Sequence, residues 1–224
     1  MSLQRAAIFG GTFDPIHNGH LQAARRVQKL FAIDQMIFMP ACVPPHKRNA
    51  NIASAFHRFA MLALATEADA AFKISTVELD NPDRPYAVDT VSMVQAEFGV
   101  QWRVFFVMGA DSWSELTTWH EWQRLLAMCD SIVVTRPGYD LEKAEAGRVA
   151  PTCDVRGLSS SEISAVLRND KERRTFFTDA AMTDISATAI RTAVRRGDHE
   201  ELIAMVPESV AAYIEKHGLY RRIG

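Results

Sequence analysis

The sequence predicts an α/β protein with a doubly wound parallel sheet and a helical C-terminal portion. Short continuous apolar runs recur along the chain, and runs of this kind are typical of strands buried on both faces of a parallel sheet. Segments with helical spacing separate them, so the order strand, helix, strand repeats. The runs are AAIF (6–9), MIFM (36–39), VFFVM (104–108) and SIVV (131–134), with FKISTVEL (72–79) more mixed.

The helices are predicted from the spacing of apolar residues between and after these runs. We expect one domain over residues 1–224, whose helical C-terminal portion begins at about residue 158. The predicted apolar faces are Leu21, Ala24 and Val27, then Phe56, Phe59, Ala60 and Ala63, then Val91, Val94 and Phe98, and near the C-terminus Ile163, Val166, Leu167, Ile190, Val194, Val210, Tyr213 and Ile214.

The composition is that of an ordinary globular chain. Its 224 residues are 48% hydrophobic and 23% charged, and the formal net charge of -2 argues against a general nucleic-acid binder. The three cysteines, Cys42, Cys129 and Cys153, have no metal-binding or disulfide-framework spacing. Because no signal-peptide pattern or bilayer-length apolar run is found, we expect a cytoplasmic protein without nucleic-acid or membrane partners. The sequence leaves the oligomeric state open, and a homo-oligomer is one of the possibilities.

Polar loops follow the predicted strands, and ligands of open doubly wound sheets bind beyond the carboxyl ends of the strands. A binding site is therefore expected where these loops meet. The loops are GGTFDPIHNGH (10–20), PACVPPHKR (40–48), ELDNPDRPYAVDT (78–90), GADSWSELTTWHEW (109–122) and TRPG (135–138).

The first loop predicts a phosphate site. Gly10 and Gly11 allow a tight turn and a close approach of the backbone to a ligand, and the following helix directs its free N–H groups toward the same space. His17 and His20, on one face at helical spacing, could donate hydrogen bonds to phosphate oxygens or, when protonated, neutralise charge. The alternatives are an exposed polar first turn or half of a metal site. No third metal ligand is evident at matching spacing, so no protein metal site is predicted.

A second segment, DISATAIR (184–191), has a pattern that can also bind phosphates. Ser186 or Thr188 can cap a helix whose N-terminal amides, together with Arg191, hold a polyphosphate. Taken alone, the segment is equally an ordinary capped helix with a solvated arginine.

Together the two segments resemble a known family. GGTFDPIHNGH closely resembles the signature of nucleotidyltransferases with an H-x-G-H motif, and DISATAIR resembles their I-S-S-T-x-x-R element. Over nearly the whole chain, the remaining segments resemble the bacterial nicotinate mononucleotide adenylyltransferases. Phosphopantetheine adenylyltransferases are the nearest competitors, but they are shorter and typically have threonine at the position of His17. The supporting segments are PPHK, PYAVDT, GADSWSELTTWHEW, RPG and VPESVAAYIEKHGLY.

The resemblance implies a Rossmann-like fold and adenylyl transfer from ATP, with Mg²⁺, to nicotinate mononucleotide. The products would be deamido-NAD and pyrophosphate, in a step of NAD biosynthesis. Nicotinamide mononucleotide as acceptor and a catalytically silent nucleotide sensor are the alternatives. The implied residues are His17, His20, Lys47 and Arg191 in catalysis; Gly10, Gly11, Thr12, Phe13, Gly109, Asp111, Ile185, Ser186 and Thr188 at ATP; and Tyr86, Ala87, Trp119 and His120 at the mononucleotide.

Two of these residues also have readings from chemistry alone, and a third departs from the pattern of the family that the chain resembles. Trp119 offers an aromatic platform for a pyridine ring, whereas Trp113 and Trp122 are expected in the core. Asp111, at a strand end, can accept a ribose hydroxyl, with a structural loop cap as the alternative. PYA stands where S-Y-T is common in the family, so Ala87 offers no hydroxyl to the acceptor.

Overall fold

The protein is described by a computed structural model that covers residues 3–42, 52–83, 86–135, 151–169, 172–180, 183 and 185–221. A seven-stranded sheet in the order β3-β2-β1-β4-β5-β7-β6 forms its centre, and the paired strands are all parallel. The strands are β1 (Gln4–Gly11), β2 (Gln35–Pro40), β3 (Phe72–Ile74), β4 (Trp102–Gly109), β5 (Asp130–Val134), β6 (Thr152–Asp154) and β7 (Thr175–Thr178).

Helices cover both faces of this sheet, as the doubly wound prediction requires. Successive residues of β1 point to opposite faces, so Phe9 joins one core and Ile8 the other. The helices are α1 (Asn18–Phe31), α2 (Ala55–Thr66), α3 (Val77–Asp80), α4 (Ala87–Phe98), α5 (Ala110–Ser114), α6 (Trp122–Met128), α7 (Ser160–Asn169), α8 (Ala187–Arg196), α9 (His199–Met205) and α10 (Glu208–Lys216).

The two cores divide the helices between the faces of the sheet. One core contains buried residues of α1, α2, α7, α8, α9 and α10, among them Val27 and Ile163. The other contains residues of α4, α5 and α6, among them Val91 and Trp113. The predicted fold class is therefore confirmed. No helix in the described part of the chain has the length and apolar character needed to cross a membrane.

The predicted strand over 72–79 is too long. β3 ends at Ile74, and the next residues turn into the short helix α3. The Ser75 hydroxyl accepts a hydrogen bond from the Val77 backbone N–H at 3.3 Å, and Thr76 Oγ1 donates to Asp80 at 2.7 Å. Side chains of serine and threonine that bond locally in this way compete with a strand ladder, which is why the run breaks here.

The helix around residues 56–63 is confirmed, but its predicted apolar face is wrong. Phe56 is 81% exposed, whereas Met61 and Leu62 are fully buried. Arg58 is also fully buried on this face. A charged residue occupies an interior position of the helix, so the apolar pattern alone selects the wrong face.

Two strands are not predicted by the sequence. β7, with Phe176 and Phe177, pairs with β5 on one side and β6 on the other, within a region expected to be helical. Each strand is at most four residues long, so neither produces a strong apolar run. The helical C-terminal portion is confirmed for α7 and from α8 onward.

The order of the strands fixes where the site lies. β1 lies between β2 and β4, so the chain leaves β1 toward one side of the sheet and returns to build the other. A crevice forms outside the carboxyl ends of β1 and β4 at such a switch point. Gly10, Gly11 and Gly109 end these two strands.

Candidate active site

The loop between β1 and α1, residues 12–17, begins with a close contact between Gly11 and Phe13. A Cβ atom on Gly11 would lie 2.9 Å from the Phe13 ring, closer than real contacts allow. Phe13 itself has φ 49, in the left-handed region, and its side chain is buried. Gly11 is thus required by the ring beneath it. A Cβ on Gly10 would meet Phe106 at an ordinary 3.4 Å, so packing inside the protein does not demand that glycine.

His17 and His20 form a stacked pair. His17 is the N-cap of α1, with an extended backbone, and its Nδ1 accepts from the His20 backbone N–H at 3.4 Å. The two ring centroids are 3.6 Å apart. Since Nδ1 of His17 accepts, the proton of a neutral ring is on Nε2, which can donate to a ligand. The two histidines come together as predicted, although His17 caps the helix and does not lie within it.

Gly19 makes room for this stack. A Cβ atom at position 19 would lie 3.1 Å from Nδ1 of His17 and 3.3 Å from Oγ1 of Thr183. The glycine between the two histidines of the motif is therefore explained by the position of the His17 ring.

Burial keeps His20 neutral. Its ring contacts the rings of Phe9 and Phe13 edge-on, with centroids 6.1 and 5.2 Å away, and its Nδ1 is buried without a hydrogen-bond partner in the described structure. Burial, and secondarily repulsion from a charged His17, lowers the pKa of His20 well below 6.5. Of the two roles left open by the sequence, the geometry favours hydrogen-bond donation over a permanent imidazolium at His20.

Asp14 joins this loop to the C-terminal part of the chain. Its carboxylate is buried and accepts hydrogen bonds from the Tyr220 hydroxyl at 2.7 Å and from the Ala53 backbone N–H at 3.0 Å. Its backbone carbonyl accepts from Nη1 of Arg191 at 2.7 Å, and the same nitrogen lies 3.7 Å from Oδ2. Arg191 is thereby held at the loop that carries His17.

The second motif forms the beginning of α8. Ser186 is the N-cap and accepts from the Ala189 N–H at 3.1 Å, so Ser186 and not Thr188 caps the helix. The exposed Thr188 instead accepts from Nη2 of Arg191 at 3.1 Å. Ile185 packs against the core beside the cap. The two motifs, far apart in sequence, therefore meet through Arg191.

The residues predicted at the mononucleotide lie around the beginning of α4. Tyr86 is its N-cap residue, and the Tyr86 ring packs on His120 with centroids 4.3 Å apart. Ala87 is the first helical residue, where the backbone N–H has no acceptor within the helix. The half-buried Trp119 meets Phe106 edge-on at 6.2 Å, and Phe106 also borders Gly10. Trp119 is therefore linked through Phe106 to Gly10 at the end of β1.

The other predicted residues have simpler positions. Trp113 is fully buried and Trp122 is half-buried against the same core, so their assignment to the core is confirmed. Asp111 is exposed in the first turn of α5, directly after Gly109. Lys47 lies outside the described residues.

Three residues of this region are not predicted by the sequence. Arg58 donates four hydrogen bonds to backbone carbonyls, yet an arginine in a helical pattern normally indicates a solvated face. Glu78 accepts from Oγ1 of Thr90 at 2.8 Å, and burial raises its pKa to about 7. Tyr220 closes on Asp14, a contact between residues 206 positions apart that no local pattern reveals.

Comparison with known proteins decides the family. The sequence model of the cytidylyltransferase-like family matches residues 8–193. A probable nicotinate-nucleotide adenylyltransferase of Moorella thermoacetica is 36% identical over 97% of this chain and 92% of its own length. Another, of Pectobacterium atrosepticum, is 38% identical over 96% of this chain and 98% of its own.

The chain belongs to the cytidylyltransferase-like family. These two relatives, which match over nearly their full length, are named probable nicotinate-nucleotide adenylyltransferases, in agreement with the resemblance of the segments outside the two motifs. The structure of Plasmodium falciparum nicotinic acid mononucleotide adenylyltransferase complexed with NaAD is similar in fold, with a TM-score of 0.64 over 97% of both chains and 14% identity. The two proteins thus share their fold over nearly the whole of this chain.

Proposed function

We propose that this chain transfers the adenylyl group of ATP to nicotinate mononucleotide, giving deamido-NAD and pyrophosphate in NAD biosynthesis. The observation that carries the proposal is the meeting of the two motifs: Arg191 of the second is hydrogen-bonded to Asp14, three residues before His17. The names of the full-length relatives support the same reaction.

The reaction needs no protein nucleophile. The 5′-phosphate of the mononucleotide attacks the α-phosphorus of ATP in line, a P–O bond forms, and the bond to the β-phosphate oxygen breaks to release pyrophosphate. Catalysis then consists of alignment and stabilisation of charge on the phosphate oxygens. The amides at the beginning of α1, Arg191 and, by resemblance, Lys47 supply this stabilisation.

The stacked histidines act as hydrogen-bond donors to those oxygens. Neutral His17 carries its proton on Nε2, because its Nδ1 accepts from the backbone of α1. His20 stays neutral at pH 7 because burial lowers its pKa. Donors fixed in place before the reaction cost no reorganisation when charge develops.

In this proposal Mg²⁺ would bind together with ATP and would neutralise charge on the pyrophosphate that leaves. Among the described residues, no group of three or more His, Cys, Asp and Glu side chains is arranged to hold a metal ion. The phosphates of the nucleotide would hold the ion in this proposal.

The acceptor binds at the beginning of α4. The pyridine ring stacks on Trp119, and the backbone N–H groups of Ala87 and Val88, which have no acceptor within α4, receive the nicotinate carboxylate. The contact between Tyr86 and His120 borders this space. With alanine at position 87, backbone amides and not a hydroxyl provide the preference for the acid.

The experiment is pyrophosphate release from ATP and Mg²⁺ with three acceptors in parallel: nicotinate mononucleotide, nicotinamide mononucleotide and phosphopantetheine. We expect kcat/KM to favour the first at least ten-fold, about 1.4 kcal/mol of transition-state discrimination. A preference for nicotinamide mononucleotide would assign the amide-specific reaction instead. If the protein binds an ATP analogue but releases no pyrophosphate from ATP with any of the three acceptors, the result would favour the nucleotide-sensor alternative.

His20→Ala tests the role of the histidine pair in the same assay. Loss of one preorganised donor should lower kcat about 100-fold or more. His199→Ala is the control, since His199 pairs with Glu215 on an exposed part of the C-terminal helices. Wild-type turnover in His20→Ala would contradict the mechanism.

A further inference from the structure

Arg58 is a fully buried cation that forms no hydrogen bond to a carboxylate in the described structure. Its Nε donates to the carbonyl of Ala53 at 3.1 Å and its Nη1 to that of Thr12 at 2.8 Å. Nη2 donates to the carbonyls of Ala41 at 2.6 Å and Cys42 at 3.1 Å. One side chain therefore ties α2 to the first loop and to the backbone just after β2.

A buried charge is costly, so these four bonds call for an explanation. Burial lowers the pKa of Arg58, and the charges of Asp14 and Glu78 oppose that effect. Arginine nevertheless stays protonated in proteins and holds its donors in a rigid fork. An apolar side chain of similar size would avoid the desolvation cost altogether. What it could not do is hold several separate carbonyls in fixed directions.

The bond to Thr12 fixes the peptide that links Thr12 to Phe13. In a planar trans peptide, the C=O and N–H groups point in opposite directions. Because the Thr12 carbonyl points at the buried guanidinium, the Phe13 N–H points away from it. The direction of this amide is thus determined by Arg58.

The conformation of Phe13 needs such support. A left-handed backbone, with φ 49, costs an aromatic residue about 1–2 kcal/mol, and it persists only where neighbouring contacts over-determine it. The Phe13 ring packed under Gly11 is one restraint, and the Arg58 bond on the preceding carbonyl is the second.

We propose that Arg58 is a positioning residue, whose guanidinium holds the Thr12–Phe13 peptide so that the Phe13 amide is presented to the phosphates of ATP. The proposal rests on the proposed function in one respect only, namely that ATP binds at this loop. The same guanidinium, through Ala41 and Cys42, anchors the chain immediately before the segment that contains Lys47.

The test compares Arg58→Lys with Arg103→Lys. Arg103 is also a largely buried arginine, bonded to Asp130 at 2.7 Å and to the Leu167 carbonyl at 2.8 Å, but it lies at the amino end of β4, away from the site. Lysine keeps the positive charge but lacks the planar guanidinium, whose N–H donors point in fixed directions. The readout is the Kd of a non-hydrolysable ATP analogue, measured by calorimetry without acceptor, with the thermal stability of each variant measured alongside.

We expect Arg58→Lys to weaken analogue binding ten-fold or more and Arg103→Lys to change it less than two-fold, even where both lower the melting temperature equally. Equal effects of the two variants on Kd, or none in Arg58→Lys, would overturn the proposal and leave the proposed function intact. A wild-type protein that binds the analogue but adenylylates no acceptor would overturn the proposed function and leave this comparison valid.

The wild-type protein supplies a second measurement if Arg58→Lys does not fold. The backbone amide of Phe13 should show one of the largest chemical-shift changes in the loop when the analogue is added, as followed by NMR. An unchanged Phe13 amide at saturating analogue would contradict the proposal, as would a wild-type protein that does not bind the analogue.

Discussion

Gly19→Ala is expected to separate stability from activity. Gly19 is the second residue of α1, and its φ is not in the left-handed region, so alanine fits the helical backbone. Replacing glycine by alanine in a helix typically adds about 0.5–1 kcal/mol of stability. The new Cβ would lie 3.1 Å from Nδ1 and 3.2 Å from Cε1 of His17, so the imidazole must move by a few tenths of an ångström.

The displacement acts on the catalytic pair. A misplacement of about 1 Å can cost 100-fold in rate, so a few tenths should lower kcat about ten-fold. For a chain of this size, the gain in helix stability corresponds to a rise of about 1–4 °C in melting temperature. We therefore expect Gly19→Ala to raise the melting temperature and to lower kcat.

The assays are pyrophosphate release under saturating substrates and thermal unfolding of the free protein. Gln22→Ala, at an exposed position one turn further along α1, is the control and should change neither kcat nor stability appreciably. Wild-type kcat in Gly19→Ala would refute the assignment of the glycine to the His17 ring. A fall in melting temperature of several degrees would show that the His17 ring cannot move to make room for the new Cβ atom.

Two further variants test contacts around the site. Tyr220→Phe removes the hydroxyl that donates to Asp14 and leaves a buried carboxylate with one hydrogen bond fewer, so the free energy of unfolding in urea should fall by about 1–3 kcal/mol. The control is Tyr213→Phe, which removes a hydroxyl that pairs with His57. An unchanged free energy of unfolding in Tyr220→Phe would contradict the role of the contact with Asp14. Glu78→Gln tests the raised pKa: because folding raises the pKa of this carboxyl to about 7, its contribution to stability is greatest below about 4.5 and is lost as pH rises through 7. Glutamine does not titrate, so the melting temperature of Glu78→Gln relative to wild type should increase between pH 5 and pH 8, and a constant difference would exclude a shifted pKa.

Continuous apolar runs were sufficient to predict the central strands, since burial on both faces leaves little room for polar residues. The runs around Ile8, Ile37, Phe106 and Ile132 all became strands of the sheet. β7 was not predictable in the same way, because a four-residue strand gives no clear period. Its position between β5 and β6 follows only from long-range pairing.

The candidate site shows a similar division. Motif spacing predicted that His17 and His20 would meet, and the resemblance brought Arg191 to the same site, because these residues belong to short segments with local structure. Arg58 could not be found this way. Its partners are backbone carbonyls from separate segments, and every residue has such a carbonyl whatever its side chain, so no residue type in the sequence marks these contacts.

The bond between Asp14 and Tyr220 has a consequence for the order in which the chain can assemble. Synthesis begins at the N-terminus, and contacts between distant residues form only after both have emerged. The loop that carries the histidines is made before either of its distant partners. The Asp14 backbone carbonyl gains its Arg191 donor only when residue 191 is available, and the Asp14 carboxylate gains its phenol donor only with residue 220. A nascent chain that has already folded most of its sheet therefore still lacks two contacts of the loop between β1 and α1, and that loop is complete only once residue 220 has been made.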